Sequence, residues 1–239
     1  MAPDLLLEVI ACTVEDAIQA EQGGADRLEI VSHLEIGGLT PPLSMVREIL
    51  KAVSIPVRVM LRGNGGFETG SQKEISDLCD VAGELSALHV DGIVVGFLRD
   101  GKIDVEAISQ ILASAPELPA TFHHAFDASD DRLQSIETLK SFTQVDRILT
   151  RGSDESLALQ VSSLAAFATK ARPQIRILAG GGLDASRIRE LVSSTPVSEF
   201  HVGRAVRVPP ETYGEVRAES VRELLSQQLV GFPGDISKH

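Results

Sequence analysis

The chain contains no tryptophan, one tyrosine, two cysteines and three methionines, and aromatic residues make up only 4% of it. Cys12 and Cys79 are far apart and no Cys-x-x-Cys pair occurs, so neither a disulfide framework nor a cysteine-built structural zinc is expected. Basic residues are in deficit, 22 Lys+Arg against 34 Asp+Glu, a formal charge of −12. Without a Lys/Arg cluster to neutralise phosphates, neither nucleic acid nor an anionic membrane surface is an expected partner. No apolar run approaches the ~18 residues that cross a bilayer. The opening Met-Ala-Pro-Asp-Leu-Leu-Leu-Glu has no basic n-region and does not read as a signal peptide. These absences predict a cytoplasmic protein with reduced thiols. A Gly-x-Ser-x-Gly elbow and a Walker loop are also lacking.

What is present is alternation. Short β-branched or leucine-rich runs at 5–11, 27–31, 57–62, 92–98, 120–126, 147–151, 176–179 and 199–202 are separated by helical patterns near 13–23, 42–53, 71–88, 104–115, 130–142, 154–171, 184–194 and 210–228. Thr13, Asp104 and Asp184 stand at N-cap positions. Strands alternating with helices imply parallel pairing, and runs such as Gly-Ile-Val-Val-Gly-Phe-Leu imply burial on both faces. An acidic turn before a strand recurs as Ala-Asp-Arg-Leu-Glu-Ile (25–30), Val-Asp-Gly-Ile-Val-Val (90–95) and Val-Asp-Arg-Ile-Leu-Thr (145–150). Eight such units in 239 residues predict a single (β/α)8 barrel over residues 1–231, with 232–239 as a loose tail. An open doubly wound sheet is the alternative.

In a closed barrel, alternate strand residues face inward and function gathers where the strands end. Leu7 and Val9 read as helix-facing, which turns Glu8 and Ile10 inward. The same parity turns Glu29, Val31, Arg58, Met60, Arg62, Thr121, His123, Ala125, His201 and Gly203 inward, and Phe122, His124 and Phe126 outward. Gly92 and Gly96 would leave room for a ligand. Glu8, Glu29, Arg62, His123 and His201 then converge on one mouth, with Asp127 just beyond the fifth strand. Such groups are expensive to bury unpaired. They form either a salt-bridge plug, with Glu29 against Arg62, or a pocket that binds metal or moves protons.

Two glycine-rich turns add to this mouth. Gly180, Gly181 and Gly182 follow the seventh strand, and Gly203 and Arg204 follow the eighth, where bare N–H groups and a guanidinium could bind phosphate or another small anion. Gly63–Gly66 reads as a lid or a long connection. Cys12 lies ahead of a helix start, where a thiol can be activated, whereas Cys79 falls on the apolar face of a helix.

The order of these segments resembles the CutC copper homeostasis family, whose known members are TIM barrels. The resemblance rests on Glu-Val-Ile-Ala-Cys-Thr-Val-Glu-Asp-Ala (8–17), Gly-Gly-Ala-Asp-Arg-Leu-Glu-Ile (23–30), Gly-Gly-Leu-Thr-Pro (37–41), Thr-Phe-His-His-Ala-Phe-Asp (121–127), Ala-Gly-Gly-Gly (179–182) and Glu-Phe-His (199–201). It carries over Glu8, Glu29, Arg62, His123, Asp127, Thr150 and His201, and implies copper trafficking or tolerance in the cytoplasm. Family members proposed to bind Cu(I) carry cysteines where this chain has Ile10 and Val31. The family's His-Arg pair is His123-His124 here, and its arginine-rich loop after the third strand keeps only Arg62. The resemblance therefore leads to a copper homeostasis protein in which copper or another divalent metal would be held by Glu8, Glu29, His123 and His201. The alternative is a lyase- or isomerase-type enzyme acting on a small phosphorylated or carboxylated substrate. In it, Glu8 or Glu29 serves as base, His123 as acid and Arg62 as clamp. A homodimer is a further expectation.

Overall fold

Eight short parallel strands close into a ring, and their order around the ring is their order in the chain. In the computed structural model, which describes residues 5–229, they are β1 (Leu6–Ala11), β2 (Arg27–Ile30), β3 (Val57–Met60), β4 (Gly92–Val95), β5 (Ala120–Phe122), β6 (Val145–Thr150), β7 (Arg176–Ala179) and β8 (Glu199–Val202). The helices between them are α1 (Val14–Gly23), α2 (Leu43–Ala52), α3 (Gln72–Ala87), α4 (Val105–Ser114), α5 (Arg132–Leu139), α6 (Leu157–Ala171), α7 (Ala185–Ser194) and α8 (Ala218–Leu229). This is the TIM barrel that the eightfold alternation predicts. The expected tail at 232–239 lies outside the described residues.

The helices start where short polar side chains can take up orphan N–H groups. Thr13, Ser71, Asp104, Asp131, Ser156 and Asp184 each accept the backbone N–H three residues on. Each such cap is worth about 1 kcal/mol. Between sheet and helices lies one continuous apolar layer, to which the strands give Leu7, Val9, Leu28, Ile30, Val59, Ile93, Val95, Phe122, Ile148, Ile177, Phe200 and Val202. A small separate cluster of Val31, Met60 and Val94, with Ile10, Cys12 and Leu34 against it, lies on the opposite face of the strands, inside the barrel. The split between the two clusters follows the inward–outward alternation read from the sequence.

Several strands stop sooner than their apolar runs. β3 ends at Met60, β4 at Val95 and β5 at Phe122. After β5 the chain turns at His123 into a one-turn 3-10 helix, His124–Ala128, so alternation no longer applies there. Ala125, expected inward, packs in the outer layer. Residues 210–217, expected to begin the last helix, instead form the turn and return strand of a hairpin that pairs Arg207–Val208 with Glu215–Val216. Asp16 fixes that hairpin from α1 by accepting from Arg207 (2.9 Å) and from the Val216 N–H (3.0 Å). The inward glycines make space for protein, not for ligand: a Cβ at Gly92 would lie 3.3 Å from Arg58 Nε, and one at Gly96 would lie 2.4 Å from His123 Nδ1.

The lower barrel is filled by ion pairs. Arg58 is buried, gives a two-pronged pair of 2.7 Å bonds to Asp146, and also donates to Thr121 (2.7 Å) and Asp91 (3.2 Å). Arg147 pairs with Asp146 and, at 2.6 Å, with Glu199. Glu199 also takes Arg176 at 3.1 Å and Arg27 at 3.6 Å. Removing one partner from such a buried pair strands the other charge. Arg58→Met should therefore cost about 3 kcal/mol of stability in urea unfolding. Arg58→Met combined with Asp146→Leu should cost less than the sum of the two single changes.

Candidate functional site

The register of the barrel seam brings the central charges together. Across it, Glu8 on β1 is level with His201 on β8 and with Arg27 on β2. Glu8 gives one oxygen to Arg27 and the other to His201 Nδ1, at 2.8 Å. Burial pushes the Glu8 carboxyl up, but the Arg27 charge and the His201 bond outweigh it, and the group is held below its ordinary value. It is a fixed carboxylate with both oxygens in use. Burial likewise opposes the charge on His201, but Glu29 and Glu8 hold that proton on the ring and raise its pKa.

Glu29 differs. It stands one pair further up the seam, level with Ile10. One of its oxygens is 3.6 Å from His201 Nε2, and the other is buried with no hydrogen-bond partner. Burial first, and the neighbouring Glu8 carboxylate after it, push its pKa up from 4.5 to about 7. A buried carboxyl left half-satisfied is costly, so its free oxygen marks a place kept for a partner.

His123 supplies a second such atom. Its Nδ1 accepts the Ala125 N–H at 3.1 Å, which assigns the ring proton to Nε2, and Nε2 is buried without a partner. Burial, then the charges of Arg62 and His124, hold the ring neutral, with its pKa lowered to about 3. Phe67 packs against this ring with centroids 5.5 Å apart.

Both residues line a cavity of about 570 Å³ at the ends of the strands, with the two unpartnered atoms buried in its wall; Ile10, Val31, Met60, Leu149, Arg151, Gly181, Gly182, Gly203 and Arg204 line it too. Glu29, Arg62, His123, His201, Gly181, Gly182, Gly203 and Arg204, all expected at the mouth, do line it. Glu8 lies beneath His201, and Gly180 packs against Leu149 and His201. Asp127 stands outside the lining: it accepts from the Thr150 hydroxyl, from the Arg151 N–H (3.1 Å) and from His124 Nδ1 (2.7 Å).

Arg62 does not plug the barrel with Glu29. Its guanidinium is buried and donates to the carbonyls of Gly37 (3.1 Å), Gly38 (3.3 Å), Gly65 and Gly66 (3.2 Å). It thereby ties the connection after β2 to the loop after β3, and its face covers Phe67 at 4.9 Å. Sequence parity missed His124 and Arg151. His124 was expected outward, yet it lines the cavity because the 3-10 turn rotates it there. Its spacing of three from Asp127 was the available signal. The Cys12 thiol is not activated either: burial pushes it up to about 11.

Glu8, Glu29, His123 and His201 do not assemble as metal ligands. Among the described residues no group of three or more His, Cys, Asp or Glu side chains is disposed to hold a metal ion. Glu8 has both oxygens engaged, and the wall beside Glu29 is apolar, with Ile10 level with it and Val31 two residues on. The donor set does not fit a copper ion.

Comparison with known proteins places this barrel. Residues 5–206 match the model of the CutC family. The human copper homeostasis protein cutC homolog is 36% identical over 203 residues, covering 84% of this chain and 73% of the relative. The CutC family protein of Mesorhizobium japonicum is 36% identical over 206 residues, covering 85% of this chain and 79% of that protein. The crystal structure of CutC from Streptococcus agalactiae superimposes with a TM-score of 0.77 at 29% identity, covering 83% of this chain and 98% of that one. With the family model, these relatives and the superimposed barrel in agreement, the chain belongs to the CutC family.

Proposed function

We propose that this cytoplasmic CutC protein serves copper homeostasis, as the names of its relatives indicate, by acting on a small organic molecule at the barrel mouth rather than by ligating copper. The observation that carries this reading is the pair of buried, unpartnered polar atoms, Glu29 Oε1 and His123 Nε2, on two residues that line one cavity. A carboxyl with a pKa of about 7 is matched to taking and returning protons near neutrality. A neutral imidazole that presents Nε2–H is a hydrogen-bond donor suited to a carbonyl oxygen that gains charge.

The chemistry that follows is proton transfer next to a carbonyl. Glu29 as carboxylate removes a proton from the carbon beside the carbonyl, the electron pair moves onto the oxygen, and His123 Nε2–H stabilises the resulting enolate. Where the α-carbon carries a hydroxyl, that hydroxyl's proton moves to the enolate oxygen and Glu29 returns its proton to the former carbonyl carbon, which gives an isomerase. Where the β-carbon carries a leaving group, the enolate re-forms the carbonyl as that group departs with its bonding pair, which gives a lyase. Glu8 and Arg27 lie beneath the cavity, where Glu8 holds the His201 ring whose Nε2 stands 3.6 Å from Glu29. The apolar wall of Ile10, Val31, Met60 and Leu149 accepts the carbon body and limits water at the reacting atoms.

Incubation with a panel of small carbonyl compounds in D2O tests this. Wild-type protein should catalyse deuterium uptake at an α-carbon, and Glu29→Gln should slow it about 100-fold or more. Equal rates in both would defeat the reading.

Stability should show the same carboxyl. Glu29 holds its proton more tightly when folded than unfolded, where its value is 4.5, so its contribution is fully present below pH 4.5 and lost as pH rises through about 7. Urea midpoints of Glu29→Gln should therefore improve relative to wild type between pH 4.5 and 7. A pH-independent difference would contradict the assignment. For the metal, titration of the reduced protein with Cu(I) against a competing chelator should show no stoichiometric tight site, whereas one that persists in Cys12→Ala would favour direct ligation.

A further inference from the structure

The cavity has a second pole, away from Glu29. At the end of β7 the chain makes a turn in which Gly181 and Gly182 both take left-handed backbone angles, φ +89° and +87°, a conformation that suits glycine. Gly180 spends its N–H on the Thr150 carbonyl (2.9 Å), while the N–H groups of Gly181, Gly182 and Leu183 have no partner among the described residues. Two guanidinium side chains flank this turn. Arg151 lies along Gly181, its Nε 3.6 Å from where a Cβ would sit and without a hydrogen bond, while its Nη1 donates to Asp154 at 2.9 Å; Arg204 Nη2 is 3.4 Å from the same position on Gly182.

The first turn of α7 is already capped, since Asp184 accepts the Arg187 N–H at 2.8 Å. The unspent donors are therefore those of the turn and of Arg204, whose guanidinium has no carboxylate partner among the described residues, whereas Arg151 is shared with Asp154 (2.9 Å) and Asp127 (3.5 Å). On the opposite wall, Arg62 is committed to four backbone carbonyls. Free positive charge in the cavity is thus one-sided. Consecutive free N–H groups between guanidinium groups suit a tetrahedral oxyanion better than a planar carboxylate, because they approach it from several directions.

We propose that Gly181, Gly182, Leu183, Arg151 and Arg204 form the binding subsite for the phosphate of a small phosphorylated carbonyl compound, whose reacting end lies between Glu29 and His123. This rests on the reading of Glu29 and His123 as the reacting pair, and adds the substrate class. The polar ends of such a molecule match the two poles, and its carbon chain matches the apolar strip of Ile10, Val31, Met60 and Leu149 between them.

Titration of 15N-labelled protein with inorganic phosphate, followed by amide resonances with chloride as control, tests the subsite. The expected result is a saturable shift of Gly181, Gly182 and Leu183, weakened about tenfold in Arg204→Ala and retained in Glu29→Gln. Arg151→Ala should weaken it as well, which guards against one variant acting by local rearrangement. Phosphate shifts that are absent, that lie elsewhere, or that are indifferent to both arginine changes would overturn it. If Glu29-dependent deuterium uptake occurs only with unphosphorylated carbonyl compounds, the subsite is wrong while the reacting pair stands. If phosphate binds as expected but no α-carbon exchanges, this substrate class falls together with the pair.

Discussion

Glu8 is caught between Arg27 and His201 across the barrel seam, and much of the interior follows from that arrangement. Charges alternate upward from the barrel floor: Asp91, Arg58, Asp146, Arg147, Glu199, Arg27, Glu8, His201 and finally Glu29, each in contact with the next. Asp91, the first member, is exposed, and burying the others is tolerable only because every member from Arg58 to His201 is paired on both sides. The last member has one neighbour and an open side. Its raised pKa is thus a consequence of where the chain of charges stops, and the cavity begins at that point.

This account also explains why the mouth is polar on its floor and apolar on its walls. The floor inherits the terminal carboxyl of the ion network, whereas the walls come from the inward residues at strand ends, Ile10, Val31 and Met60. A copper site would need soft donors on those walls. The chain has instead spent its nearest thiol, Cys12, in a half-buried position where ionisation is disfavoured. Family membership and a cavity without thiolates are compatible, because a barrel mouth can change its chemistry while the scaffold below stays the same.

The barrel was legible because its signals are local and repeat. Apolar runs recur eight times, with capping residues at six helix starts and the acidic turn before three strands, and parity placed Glu8, Glu29 and His201 correctly on their strands. Parity failed where the strand ended early. His124 was turned outward on paper because β5 looks longer than it is, and the 3-10 turn that redirects it has no period-two signature. Arg62 was matched to Glu29 by charge alone, whereas the carbonyls that hold it come from glycine loops whose shape is not encoded in any simple pattern. The Arg58–Asp146 and Arg147–Glu199 pairs join residues 88 and 52 positions apart, a separation at which sequence gives no pairing cue. Glycines at 92 and 96 read as ligand space only until Arg58 and His123 are seen to occupy it.

The central claim is that Glu29 keeps its proton into the neutral range at the open end of a chain of buried charges. Infrared difference spectra between wild-type protein and Glu29→Gln, recorded from pH 5 to 9, observe that proton directly. The account requires a protonated-carboxyl band, present in wild type and missing from the variant, that fades with a midpoint near pH 7. A Glu29 already ionised at pH 5, with no such band to lose, would remove the basis for proton transfer in this cavity.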